Sequence, residues 1–353
     1  MRFFKDTYGI RKREIRPHGR LPDKSQLNEM LDSANEYVKL LSEYTDLIGI
    51  TLGGGLSRGY GDRLSEIDLN IYLDEEGLTR WGLGKGPIPQ GDHMGHKYHM
   101  DVSFLNIEKE RESKWNLLKK WDCSYAKILY DPSGKVQELL EDKDVFTAEE
   151  KHSLALRNYL DCTYFGEIVV RQWIVREDPL AANQLINRGI PALANLLFLA
   201  NDEYPPFEKW LINYSHSLPW KPEGWKDHVQ DLIEVKANNF TEVKLRSSKL
   251  MDLYHNIWGK ILGEEFSHTG LLELGALEAM QYIVDHEPTL DEFKKRYSLE
   301  QLSYENLYKL TELKEECGKT IIKFDSEKYE EERRKGFPSF LGWNREMLTH
   351  LNV

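Results

Sequence analysis

The residues equipped for chemistry concentrate in one stretch, Gly53 to Leu73, which reads GGGLSRGYGDRLSEIDLNIYL. Ile67, Leu69, Ile71 and Leu73 alternate with Asp68, Asn70 and Tyr72, the two-residue period of a strand with one apolar face. The same period puts Glu66 and Asp68 on the other face, with Cα atoms roughly 6.6 Å apart at two strand steps. Adjacent carboxylates repel, and a cation between them relieves the repulsion. His99 to Leu105 alternates again and carries Asp101, a third carboxylate that joins the first two if the strands are neighbours. Three hard oxygen donors on rigid strands suit Mg²⁺, which keeps several waters and bridges to phosphates. Upstream, Gly53-Gly54-Gly55 lets the backbone approach a ligand closely, and its exposed N–H groups form an anion-binding concavity. Ser57 and Arg58 add a hydroxyl and a fixed cation.

These residues resemble the signature of the polymerase β-type nucleotidyltransferase superfamily. Gly54-Gly55-Leu56-Ser57-Arg58-Gly59 is followed, after five residues, by Ser65-Glu66-Ile67-Asp68-Leu69, with Asp101 in the position of the later carboxylate. The spacing is closest to the minimal branch that includes aminoglycoside and lincosamide nucleotidyltransferases, and it spans residues 47–105. The departure is Glu66, where the family usually has Asp. The resemblance implies an α+β nucleotidyltransferase domain, with a small mixed sheet flanked by helices, and a mostly helical second domain closing over the nucleotide. It implies two Mg²⁺ held by Glu66, Asp68 and Asp101, with ATP or another nucleoside triphosphate lying against Gly54, Gly55, Ser57 and Arg58. Tyr204-Pro205-Pro206-Phe207-Glu208-Lys209-Trp210 is similar to a segment whose lysine reaches the triphosphate, which makes Lys209 a nucleotide ligand. Glu167 is placed like a general base of some antibiotic-modifying members, a role that Asp101 could also fill.

Other elements must position this stretch. Residues 25–45 carry apolar positions three and four apart, an amphipathic helix whose start is marked by Asp23 with Gln26 or by Ser25. Leu47 to Leu52 reads as a strand entering the glycine turn, and residues 77–97, rich in Gly and Pro, as a loop or strand-to-strand excursion. From Thr147 the texture becomes helical: a capping box, Thr147 to Glu150, opens a helix of about 25 residues. Further helices are expected at 191–201, 225–237, 241–263, 269–285, 289–296 and 299–317. The expected organisation is a nucleotidyltransferase domain over 1–145, with a basic arm at 1–24, and a helical domain over 146–353. Glu330 to Lys335 reads as a solvated helix face.

Competing motifs fail. His93, His96 and His99 do not share one element and so do not converge as zinc ligands. Gly82 to Gly86 lacks the spacing of a P-loop. His99, on the side of Asp101, is a candidate for lining the site. The three cysteines show no paired spacing, as expected in a reducing compartment.

Forty-seven Lys and Arg against 59 Asp and Glu leave a net charge of −12, which repels nucleic acid and draws cations. No apolar run approaches the ~20 residues that span a bilayer, and the first residues lack a secretion signal, so a cytoplasmic protein is expected. Three readings stay open. The first transfers AMP to a hydroxyl of a small acceptor, cationic like an aminoglycoside. The second modifies a protein or tRNA, motivated by the basic arm. The third is a nucleotide-binding module without turnover, motivated by Glu66. Oligomeric state and base preference have no signature in the sequence.

Overall fold

The computed structural model describes residues 3–21, 26–266, 269–340 and 344–353. Two compact units emerge: Phe4–Leu154 with Asp161–Ile257, and Trp258–Val353 with Ala155–Leu160. The larger unit therefore holds the five-stranded sheet and, apart from Ala155–Leu160, the helical residues up to Ile257, and residue 146 lies inside it. The fold is α+β, with a mixed five-stranded sheet and a largely helical C-terminal half.

The sheet consists of β1 (Leu47–Leu52), β2 (Ile67–Leu73), β3 (Gly91–Met94), β4 (His99–Asn106) and β5 (Lys127–Tyr130), in the order β3-β4-β2-β1-β5. Only β2 and β4 run parallel. The register matches Ile67 with Met100, Leu69 with Val102 and Ile71 with Phe104, so every apolar member of the alternation lands on one face. Helix α1 (Leu27–Leu41) covers that face with Met30, Ala34, Tyr37 and Leu41. Its proposed start signals, Asp23 and Ser25, lie outside the described residues, and Gln26 at the N-cap makes no side-chain cap.

The opposite face is covered at one end only. There Tyr72 packs with Ile107, Trp115, Val136, Leu139 and Leu140. The other end, which carries Asp68, has no such apolar cover. A sheet face half apolar and half open is what the sequence Asp68-Asn70-Tyr72 dictates, since burying the polar half without partners is costly.

Two expectations need correction. The 77–97 region is not chiefly loop: Glu75–Arg80 is a helix continued by a π-turn, Trp81–Lys85, before β3. Asp74 caps it by accepting from the Gly77 N–H at 2.7 Å, and Gly77 is required because a Cβ there would meet Asp46 at 2.8 Å. The 299–317 region is not one helix. It ends in a hairpin, Thr311–Glu316 with Lys319–Phe324, turning on Cys317 (φ 52°) and Gly318 (φ 76°). The helix expected at 191–201 is longer, Pro179–Ala200, and runs through Pro191, its many buried side chains offsetting the missing N–H. The Thr147–Glu150 capping box forms reciprocally, and its helix continues past a π-turn to Val175.

The basic arm docks on its own chain. Arg13 and Arg16 both reach the buried Glu203, at 3.1 and 3.2 Å, while Lys12 pairs with Glu141 at 2.9 Å. Arg11 donates to the Ala126 carbonyl, and Arg16 also lies over the Tyr125 ring. Among the described residues, no helix is long and apolar enough to cross a membrane.

Candidate active site

The site is built where β1 turns back on β2. The Gly53 N–H donates to the Asp68 carbonyl at 2.9 Å, and the chain bends through the short helical turn Gly54–Ser57. Gly54 has φ +58°, and a Cβ there would sit 1.6 Å from Asp68 Oδ2. The Asp68 carboxylate thus occupies the space that a glycine leaves open. Gly55 is needed for a second reason, because a Cβ there would strike the Tyr60 ring at 2.5 Å. Ser57 is buried and donates its hydroxyl to the Gly54 carbonyl at 2.9 Å, so that proton is already engaged within the turn.

Asp68 pairs in register with Asp101 across the parallel β2–β4 ladder, and Asp101 with Asp92 across β4–β3. The three carboxylates form a row on one face of the sheet. Glu66, just before β2, is exposed. Burial, and then the charges of Glu66, Asp122 and Asp101, push the Asp68 carboxyl up to about 7, partly opposed by Arg58. Asp68, Glu66 and Asp101 thus share one negative field, and among the described residues none of their carboxylates has a hydrogen-bond or ion-pair partner. As the side chains stand, no three His, Cys, Asp or Glu among the described residues are gathered as a ready metal site. The chemistry of the donors nonetheless suits a hard divalent cation, which would offset the repulsion that Asp68 experiences.

A cavity of about 460 Å³ opens beside this row. Gly54, Arg58 and Asp68 line it together with Lys209 and Trp210, so the structure unites the glycine turn with the distant lysine of the second motif. Lys209 lies on α3 (Glu208–Ser215), exposed, with no ion pair among the described residues. Trp210 is half-buried against Tyr60, ring centroids 5.1 Å apart.

Gly55, Ser57, Glu66 and Asp101 are not among the lining residues, and two further candidates fall elsewhere. Glu167 pairs with Arg171 one helical turn on and does not line the cavity. His99 stands exposed 3.6 Å from Asp92, also off the cavity lining. His93 bonds the Gly91 carbonyl and His96 stacks on Tyr37, so the three histidines do not converge.

Sequence reasoning missed Asp122, Trp121, Lys119 and Asn116, all in or capping α2 (Leu117–Ser124). Asp122 Oδ1 accepts from Arg58 Nη1 at 2.7 Å. No local pattern marks these residues, because an isolated carboxylate on a short helix looks like any solvated one.

Residues 121–211, less than half of the chain, match the model of a family described as a domain of unknown function, DUF4037. That stretch begins at Trp121 and Asp122 and includes Lys209 and Trp210. No curated protein matches the sequence. A crystal structure of a nucleotidyltransferase-like protein from Exiguobacterium sibiricum 255-15 is similar at a TM-score of 0.40 and 12% identity, over 84% of this chain and 99% of that one.

Proposed function

We propose that the chain is a Mg²⁺-dependent nucleotidyltransferase. It would move a nucleoside monophosphate, AMP from ATP in the simplest case, to a hydroxyl of a small acceptor and release pyrophosphate. One observation carries this reading: Asp68, the register partner of Asp101, lines with Gly54 of the glycine turn a cavity that also presents Arg58 and Lys209.

In this reading Glu66, Asp68 and Asp101 hold the metal. Bound Mg²⁺ would neutralise charge on the phosphates and acidify the acceptor hydroxyl. The N–H groups of the Gly54–Ser57 turn, Arg58 and Lys209 bind and orient the triphosphate, so that the hydroxyl is in line with the α-phosphorus. A new bond forms between the hydroxyl oxygen and that phosphorus. The bond to the bridging oxygen breaks, and pyrophosphate leaves with the electron pair. Asp101 accepts the hydroxyl proton. Glu167, held by Arg171, is not required in this scheme.

A cationic acceptor of aminoglycoside type suits the acidic row of Asp68, Asp101 and Asp92. The macromolecular alternative is weakened, since four cations of the basic arm, Arg11, Lys12, Arg13 and Arg16, are engaged within the chain. A nucleotide-binding module without turnover keeps the support of Glu66 and is tested by Glu66→Asp, because activity gained there would mean that the natural residue silences the site. The main test is pyrophosphate release with Mg·ATP across aminoglycosides and lincosamides. Release above the level of Asp68→Ala supports the proposal. Release equal to that variant for every acceptor removes it.

A further inference from the structure

The mechanism above gives Arg58 a phosphate to bind but leaves Asp122 idle. Arg58 is held from three sides: Nη1 by Asp122 at 2.7 Å, Nε by the Tyr60 hydroxyl at 3.3 Å, and the guanidinium plane by Trp121, 4.7 Å from the ring centroid. Only 7% of its side chain is exposed, against 41% for Asp122. The Nη2 group makes no hydrogen bond among the described residues, and Arg58 lines the cavity. A guanidinium fixed along one edge keeps the other edge available for an oxyanion. The second oxygen of Asp122 points back towards the glycine turn, 3.8 Å from where a Cβ on Gly53 would stand. Asp122 therefore sits between the cation and the turn that would cradle the same phosphates.

We infer that Asp122 is a positioning residue: it holds Arg58 so that the free Nη2 edge meets a phosphate oxygen of the nucleoside triphosphate. The inference rests on the nucleotide-binding reading of this cavity. Its merit is a sign that simple electrostatics would get wrong. As a bare negative charge, Asp122 repels a triphosphate, and deleting it would tighten binding. As the holder of Arg58, it strengthens binding, and deleting it weakens binding.

The test titrates the full-length chain with ATP and with adenosine in excess Mg²⁺, read by tryptophan fluorescence. The variants are Asp122→Ala, Asp122→Asn, Arg58→Ala and the double variant Arg58→Ala/Asp122→Ala. Asp122→Ala should weaken ATP binding about tenfold, the size of one charged hydrogen bond, and leave adenosine binding unchanged. Asp122→Asn, which keeps an acceptor for Nη1, should stay within about twofold of the parent chain. In the Arg58→Ala background the Asp122 change should add nothing, since there is no guanidinium left to hold. In turnover, KM for ATP should rise with kcat nearly unchanged. If Asp122→Ala does not fold, Asp122→Glu displaces the guanidinium by one methylene and should weaken ATP binding in the same direction. Unchanged or tighter ATP binding in Asp122→Ala or Asp122→Glu, or additive effects in the double variant, overturns the role of Asp122 while leaving the nucleotidyltransferase reading intact. If the parent chain binds no Mg·ATP, both fall together.

Discussion

Asp68 and Asp101 are register partners on two parallel strands, so their carboxylates leave the sheet side by side on its open face. Asp68 is also pressed over Gly54, which ties the acidic row to the turn that precedes it in the chain. The glycine and the carboxylates are therefore one construction, and altering any member alters the others.

Gly54→Ala tests this tie. The new methyl group would collide with Asp68 Oδ2 at a backbone angle that L residues rarely adopt. Loss of Mg²⁺-dependent nucleotide binding is expected, with destabilisation of about 1–3 kcal/mol in urea melts. Gly59→Ala is the control. Its φ is +87° but nothing lies within 4 Å, so strain without collision should spare nucleotide binding. Equal loss in both variants would contradict the assignment.

In metal-free buffer, stability should fall as pH rises from about 4 to about 7. Burial and neighbouring negative charge raise the Asp68 carboxyl to about 7 in the folded chain, so the native state retains a proton that the unfolded chain has released across this window. Thermal melts in EDTA should show the decline, and Asp68→Asn should flatten it. Adding Mg²⁺ at pH 8 should raise the melting temperature of the parent chain but not of Asp68→Asn. A parent chain indifferent to both pH and Mg²⁺ would remove the carboxylate field as the cause.

The site itself was legible in the sequence to the extent that its signals are local. Strand alternation around Asp68 and Asp101 and the glycine run between β1 and β2 are readable within a few residues, and the sheet register follows from placing the apolar face inward. Asp122 was invisible because it meets Arg58 across 64 positions through tertiary packing alone. Asp92 escaped for the same reason, as its place in the acidic row depends on β3 pairing with β4. The Glu75–Arg80 helix was hidden by surrounding glycines, although Asp74 with Gly77 marks its cap. The C-terminal hairpin was hidden because Lys and Glu in Thr311–Glu316 mimic a solvated helix.

That hairpin offers a further check. Positive φ at both Cys317 and Gly318 fits a two-residue type I′ turn, for which Asn-Gly is a favoured pair. Cys317→Asn should therefore stabilise the chain by about 0.5–1 kcal/mol in urea unfolding, whereas Gly318→Val should destabilise it. The reverse order would mean that the turn is set by something other than backbone conformation.

Glu203 holds Arg13 and Arg16 while only 3% of its side chain is exposed. Glu203→Ala leaves Arg13 and Arg16 with only neutral acceptors, Asn201 and Ser124, and should cost about 3–5 kcal/mol. Glu203→Gln keeps hydrogen-bond acceptance and should cost less. Chemical denaturation of both variants beside the parent decides; a cost below about 0.5 kcal/mol for alanine would show that the arm is held by other contacts.

The order of synthesis follows from the same arm. Arg13, His18 and Arg20 leave the ribosome before their partners Glu203, Ser217 and Asn213, which are translated some 190 to 200 residues later. The arm is thus made well before its seat, and until that seat is made its arginines are available to any acidic surface that a chaperone or neighbouring nascent chain presents.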